Sequence, residues 1–165
     1  MNARVAEVLP LKKRTIVRRL VALDIENISG GAVQDQYLAA DAWQTVAEAI
    51  NLAEDDQVVV GVGPSSLLAS GMSNPSARHI LGRGISGADR ALVDVLHQEH
   101  VAERFVEVVI VSGDGIFADV AAELGQQGVV VTVVARQGSL SARLRLAATR
   151  IVLLPDFAPP LGEAA

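Results

Sequence analysis

The sequence predicts an α/β domain: a three-layer α/β/α sandwich with helices on both faces of a mainly parallel central sheet. Short β-branched runs such as "QVVVGV", "VEVVIV" and "VVVTVVA" alternate with longer alanine-rich segments, and that alternation implies right-handed crossovers between parallel strands. Half of the residues are apolar but only 3% are aromatic, so the core must be built from Val, Leu, Ile and Ala, the composition of strands buried on both faces. At 165 residues the chain fits a single domain that buries roughly 70% of the surface its unfolded form exposes.

The elements follow in order. A first strand is predicted over residues 18–25, then a loop at Gly30-Gly31 and a helix over about 35–53, whose Leu38, Trp43, Val46 and Ile50 form one core-facing stripe. A second strand spans 57–62 and closes at Gly63-Pro64, with Ser65 placed to cap a short helix running to Ser70. After the loop 71–75, a third strand over 77–81 runs into Gly82-Arg83-Gly84, and a helix over 87–103 turns Leu92, Val93 and Leu96 inward. The fourth strand covers 105–111, the next helix 117–127, and Gly128 is its left-handed stop. A fifth strand over 129–135, a helix over 141–149 and a short strand over 151–154 complete a core of about 18–154, with a peripheral basic segment before it and a tail after Pro155.

No apolar run reaches the roughly 18 residues needed to cross a bilayer, and the start of the chain lacks signal-peptide order. The expectation is a cytoplasmic protein without membrane contact. The absence of cysteine rules out disulfides, thiolate zinc sites and a cysteine nucleophile. A net charge of −5 argues against a protein whose whole surface binds nucleic acid, while leaving local basic patches open. The clearest patch is Lys12-Lys13-Arg14 with Arg18-Arg19, which reads equally well as a solvated approach to the first strand.

In open parallel sheets ligand sites form just outside the carboxyl ends of the strands, where the strand order switches. Asp24, Glu26 and Asn27 fall at the end of the first strand, Ser112 and Asp114 at the end of the fourth, and Asp89 in the first turn of the helix after the third. Asp89 also suits the helix dipole there, Ser112 and Asp114 also suit turn and cap chemistry, and Asp94, five residues on, is expected to be solvated. Asp24, after four apolar residues of a central strand, is the most expensive to bury without a partner. Were Asp24, Asp89 and Asp114 to converge, their charges would raise one another's pKa unless a cation intervened. Oxygen donors select Mg²⁺ or Mn²⁺, and such an ion supports hydrolysis of a phosphodiester.

The strings "LDIENISGG", "SGADRALVDVL", "VVIVSGDGIF", "VVVTVVA" and "SLSARLRLAATRIVLLP", in this order and over about 18–154, resemble the NYN domain of the PIN-like nuclease superfamily. The resemblance implies a PIN-like fold and metal-dependent cleavage of RNA, with Asp24, Asp89 and Asp114 as ligands of Mg²⁺ or Mn²⁺ and as catalytic groups. Asn27 resembles the polar partner that orients a ligand or water. The chain departs from the family at Ile116, where a second acid of the turn usually stands, at Ser86, in place of a basic residue, and at Thr149, in place of an acid. Glu26 and Asp119 are the acids available to compensate for Ile116.

Arg83 and Arg90, with Arg78, flank the loop before Asp89 and suit phosphate; Arg83, Arg90 and Ser112 are the expected substrate contacts. His79 is expected to be structural, and His97 and His100 solvated. No Walker loop, dinucleotide fingerprint or aromatic stacking platform is present, so a single-stranded RNA would be held by backbone and arginine contacts. The alternative is a degenerate, non-catalytic module of the same fold that binds RNA or a protein partner. The alanine-rich helices and many aliphatic residues also suit a homodimer.

Overall fold

The computed structural model of the protein describes residues 18–156; the basic run Lys12–Arg14 and the tail from residue 157 lie outside them. Strands β1 (Arg19–Asp24), β2 (Gln57–Val62), β3 (Arg78–Leu81), β4 (Glu107–Val111), β5 (Val130–Arg136) and β6 (Arg150–Leu154) form one parallel sheet. Its order is β3-β2-β1-β4-β5-β6. The chain therefore moves outward from β1 in one direction, returns, and moves outward from β4 in the other. The reversal lies between β1 and β4.

Alternation along the strands divides the interior in two. Leu20 and Ala22 of β1, Val108 and Ile110 of β4, and Val131 and Val133 of β5 face one layer. This layer is α4 (Gly87–Gln98), α5 (Val101–Arg104), α6 (Ala118–Gln126) and α7 (Ala142–Ala147). Val21 and Leu23 of β1, with Val109 and Val111 of β4, face the opposite layer, made of α1 (Ile25–Ser29), α2 (Gln36–Ala49) and α3 (Leu67–Ser73). Helices thus cover both faces, the three-layer α/β/α arrangement of a PIN-like fold.

The caps are chemical. Asp35 accepts from the N–H groups of Tyr37 and Leu38 at the start of α2, and Ser141 accepts from Leu144 N–H at the start of α7. Gly128 has φ +87°, the left-handed stop expected after α6.

Several boundaries differ from the sequence reading. The predicted helix over 87–103 is two helices, because His100 adopts φ +51° and breaks the run between α4 and α5. A short helix, α1, fills what reads as loop before Gly30-Gly31. The first turn after Asp114 is a 3₁₀ turn over Gly115–Phe117, and α3 starts after Ser66 without a side-chain cap. On α2 the inward stripe is Ala39, Ala42 and Val46, with Ile50 just beyond. Leu38 is 63% exposed instead: the small Ala39 and Ala42 let the helix lie close to the sheet, which turns position 38 outward. Arg19, at the amino end of β1, is bonded to Asp56 through Nε at 3.0 Å and to the Ile50 carbonyl at 3.1 Å. That ties the approach to β1 to the end of α2.

Candidate functional site

Asp24 is the last residue of β1 and shares the face of Leu20 and Ala22, so its side chain points toward the α4 layer. In register with it on β2 is Gly61. A Cβ there would stand 2.7 Å from Leu92 and 2.9 Å from the Ala88 carbonyl. The missing side chain lets the start of α4 come down onto the sheet beside Asp24. Asp89, in the first turn of α4, is thereby brought within hydrogen-bonding reach of Asp24.

A second pinch fixes the same helix start. Gly82, just after β3, and Gly87, the first residue of α4, are packed backbone on backbone. The loop they close carries Arg83, Ile85 and Ser86 into solvent. Ser86 takes φ +53°, a conformation that costs a non-glycine residue free energy and that the pinch imposes.

Asp24 is only 4% exposed. One of its oxygens accepts from the N–H of Asn27 at 3.2 Å, the other from the hydroxyl of Ser112 at 3.1 Å. Both bonds favour the charged form, yet burial first and the neighbouring Asp89 second push its pKa up to about 8. Two carboxyls in contact hold one proton between them, because both cannot ionise at that distance without a cation. The metal-free pair is therefore a proton site at neutral pH, and a divalent cation is the natural replacement for that proton.

Asn27 makes a second connection: its side-chain Oδ1 accepts from Gly113 N–H at 3.0 Å. This bond locks α1 to the turn after β4 and leaves the amide NH₂ as the end of Asn27 free for a ligand. Ser112 is fully buried, and its hydroxyl also accepts the Asp114 N–H at 3.2 Å. The expectation of a substrate contact at Ser112 is thus corrected. It lies on the same face as Asp24, one register step beyond the Leu23–Val111 pair, and it positions the carboxylate from below.

Asp114 stands on that same turn but is exposed, and its Oδ1 caps the turn by accepting from Ile116 N–H at 2.9 Å. Asp24 and Asp89 therefore meet, while Asp114 is adjacent through Ser112 without joining them. Among the described residues no group of three or more His, Asp or Glu side chains is arranged to hold a metal. The donor set present fits a hard cation at the Asp24–Asp89 pair, while Asp114 is held in its own cap.

Glu26 lines the same cleft but is already engaged: its Oε1 accepts from Gly63 N–H at 3.1 Å and from the Ser66 hydroxyl at 2.6 Å. Ser66 in turn accepts from Val33 N–H. This bridge holds the loop after β2 against α1, and no spacing in the sequence signals it. Asp119 is paired with Arg143 at 2.9 Å and points away, so neither acid replaces the one missing at Ile116, whose side chain packs on the α4–α6 core.

The cleft holds about 200 Å³ and is bounded by Asp24, Asn27, Asp89 and the backbone of Gly63, Gly82 and Gly87. Arg83 and Arg90 are exposed beside it, and neither has an ion pair among the described residues. Arg78 does not belong with them. It begins β3, about 10 Å from the loop at 3.3 Å per residue, and is bound to Glu99. His79 bonds Ser70 and the Ala77 carbonyl as a structural residue. His97 and His100 pair separately with Glu123 and Glu103.

Ser112→Ala tests the positioning role. Removing a bond that favours ionised Asp24 raises its pKa further, and divalent-ion affinity should fall by about 10-fold or more, the usual effect of losing an outer-shell partner. Calorimetric titration with Mn²⁺ measures it, and an unchanged affinity would show that Ser112 has no such role.

Residues 88–155 match the NYN domain family. The match contains Asp89, Asp114 and four of the five strings that carry the resemblance in whole or large part; "LDIENISGG", with Asp24, lies before it. No curated protein matches the chain. Among solved structures, a protein of unknown function from Vibrio parahaemolyticus is similar over 84% of this chain and 93% of its own, at a TM-score of 0.57 and 17% identity. At that identity the likeness shows the fold alone.

Proposed function

We propose that the chain is a single NYN domain, of a family in the PIN-like nuclease superfamily, acting as a metal-dependent ribonuclease, a reading that the match of residues 88–155 to the NYN domain family supports. The observation that carries this reading is the buried Asp24–Asp89 contact at the carboxyl end of the central strand. Asp24 and Asp89 would hold Mg²⁺ or Mn²⁺, with Asp114 as a third ligand. A bound ion there supplies positive charge to a phosphodiester and to the water that hydrolyses it. Ser112 and the Asn27 N–H orient Asp24, and the Asn27 amide, anchored on Gly113, donates to a phosphate or water in the cleft.

The substrate in this reading is single-stranded RNA. Arg83 and Arg90 are exposed beside the cleft of about 200 Å³ and would take phosphates of such a strand. No helix among the described residues is long and apolar enough to span a membrane, which suits the cytoplasmic setting proposed here.

The deciding experiment is a melting scan of the purified chain with and without Mn²⁺ or Mg²⁺, followed by incubation with single-stranded RNA. A cation at 100 times its Kd stabilises by about 2.7 kcal/mol, and cleavage should require it. The second reading, a non-catalytic RNA-binding or protein-binding module, draws on Ile116 and on the engagement of Asp114 with its own turn. It is favoured if the cation binds without cleavage, and the enzyme reading fails if neither ion changes melting or cleavage.

The arginines give a separate prediction. Arg83→Ala with Arg90→Ala should weaken RNA binding and lower the slope of log affinity against log salt by about 1.4, since each lost phosphate contact on a single strand removes about 0.7. Metal-dependent stabilisation should be unchanged. A filter-binding salt series with an unaltered slope would remove both residues from the interface.

A further inference from the structure

The helix layer on the α4–α7 side stops short of the last strand. Within β6, Ile151 and Leu153 continue the inward row of Val133 and Ala135 on β5, with which they are in register. Yet they remain 38% and 46% exposed, and Leu146 on α7 is 87% exposed. α7 sends Leu144 inward to the core, so the surface between this helix and the edge of the sheet stays apolar and open.

Among the described residues the edge itself is unguarded. Natural sheets protect edge strands with charges, bulges or coverage, because an open edge pairs readily with another strand. On the opposite edge, β3 carries Arg78, bonded to Glu99, and His79. β6 has one charge, Arg150 at its start, followed by Ile151, Val152, Leu153 and Leu154. The Gln137 N–H donates to the Leu154 carbonyl. Bonding partners alternate along a parallel ladder, so the backbone groups of Val152 face β5 and those of Ile151 and Leu153 face away from it.

We infer that the open β6 edge and the apolar surface beside α7 form a homodimer interface, whose occupant is β6 of a second copy running antiparallel about a two-fold axis at Val152. The register is self-complementary. Ile151 lies opposite Leu153 of the other copy, the two exchanging bonds through their outward N–H and C=O groups, on the same face as both α7 helices, and Val152 meets its equivalent at the axis as a non-hydrogen-bonded pair. Such an axis is perpendicular to the sheet and leaves each face on its own side. Each copy therefore brings the apolar flank of α7, with Leu146, over the row its mate leaves uncovered. A continuous twelve-stranded sheet results, and the two Asp24–Asp89 clefts point to opposite ends, both open.

Sedimentation velocity of the full chain tests this. The wild type should be a dimer and Leu153→Lys a monomer with unchanged far-UV circular dichroism, because position 153 is half exposed. Tyr37→Glu, on the exposed side of α2, should remain a dimer. In a chain without cysteine, Val152→Cys should cross-link with itself on oxidation, since residues of a non-hydrogen-bonded pair lie about 4.5 Å apart between Cα atoms, within disulfide reach. Ile151→Cys, which faces position 153, should not. A monomeric wild type overturns the inference, as does a dimer broken by Tyr37→Glu, or one that survives Leu153→Lys with no cross-link at 152. Should Leu153→Lys fail to fold, the two cysteine variants decide.

Discussion

Asp24→Asn should abolish metal-dependent cleavage while leaving the metal-free protein as stable as the wild type or more so at neutral pH. The two effects have one origin. The Asp24 carboxyl is buried against Asp89 and its pKa is raised to about 8, so near pH 7 it is held mostly protonated. An asparagine reproduces that neutral form: Oδ1 accepts the Asn27 N–H and the amide donates to Asp89. What it cannot do is ionise for a cation.

The pH dependence has a definite sign. A carboxyl whose folded pKa lies above its unfolded value binds more protons in the folded state, so stability falls as pH rises. The contribution of Asp24 is fully present below its ordinary value near 4 and is lost as pH climbs to about 8. In Asp24→Asn this loss should vanish. Around pH 8 the variant should melt higher than metal-free wild type, by about 2–4 °C for each kcal/mol recovered. Mn²⁺ should raise the melting temperature of the wild type and not of the variant. A wild type whose stability does not fall between pH 5 and pH 8, values that fall inside the window above, would mean that the pair is not protonated as described. Cleavage by the variant at the wild-type rate would remove Asp24 from the reaction.

Gly82→Ala should be the most damaging exchange of a single hydrogen for a methyl near the cleft. Its Cβ would stand 2.0 Å from the carbonyl carbon and oxygen of Gly87 and 2.3 Å from the Ala88 nitrogen. These are backbone atoms of the first turn of α4 and cannot swing aside like a flexible side chain. The helix must move or the loop must open, at a cost of about 3 kcal/mol, the upper end for overpacking. Because Asp89 rides on that turn, metal affinity should fall with stability. Gly84→Ala, in the same loop but with open space around its φ +76°, should cost only the left-handed backbone penalty, about 1 kcal/mol. Chemical denaturation of the two variants, with Mn²⁺ titration of each, separates packing at the pinch from generic loop strain. Equal losses in both would refute the pinch.

The architecture was legible because its signals are local. Valine-rich runs such as Val58–Val60 and Val131–Val134 can be satisfied only inside a covered sheet, and the order of strands and helices then leaves few topologies. The carboxyl-end placement of Asp24, Asp89 and Asp114 followed from that topology. What could not be read is where side chains point once the backbone bends. His100 breaks a helix because its backbone turns left-handed, which periodicity does not encode. Asp114 caps its own turn, and Ser112 lies under Asp24 because strand parity places it there. Glu26 is consumed by Gly63 and Ser66 across about forty residues of chain. Gly61 and Gly82 matter for contacts their missing side chains permit, and a glycine in a sequence does not say what approaches it.

The parity of β1 carries a constraint on how this chain can vary. Neighbouring residues of a strand face opposite layers, so the carboxyl that meets α4 does so because an even number of steps separates it from Leu20. Loss or gain of one codon within the strand would swing that acid among the aliphatic side chains of α1 and α2, emptying the cleft and stranding a charge in oil. Length changes are tolerable here only in twos, or in the loops beyond the strand.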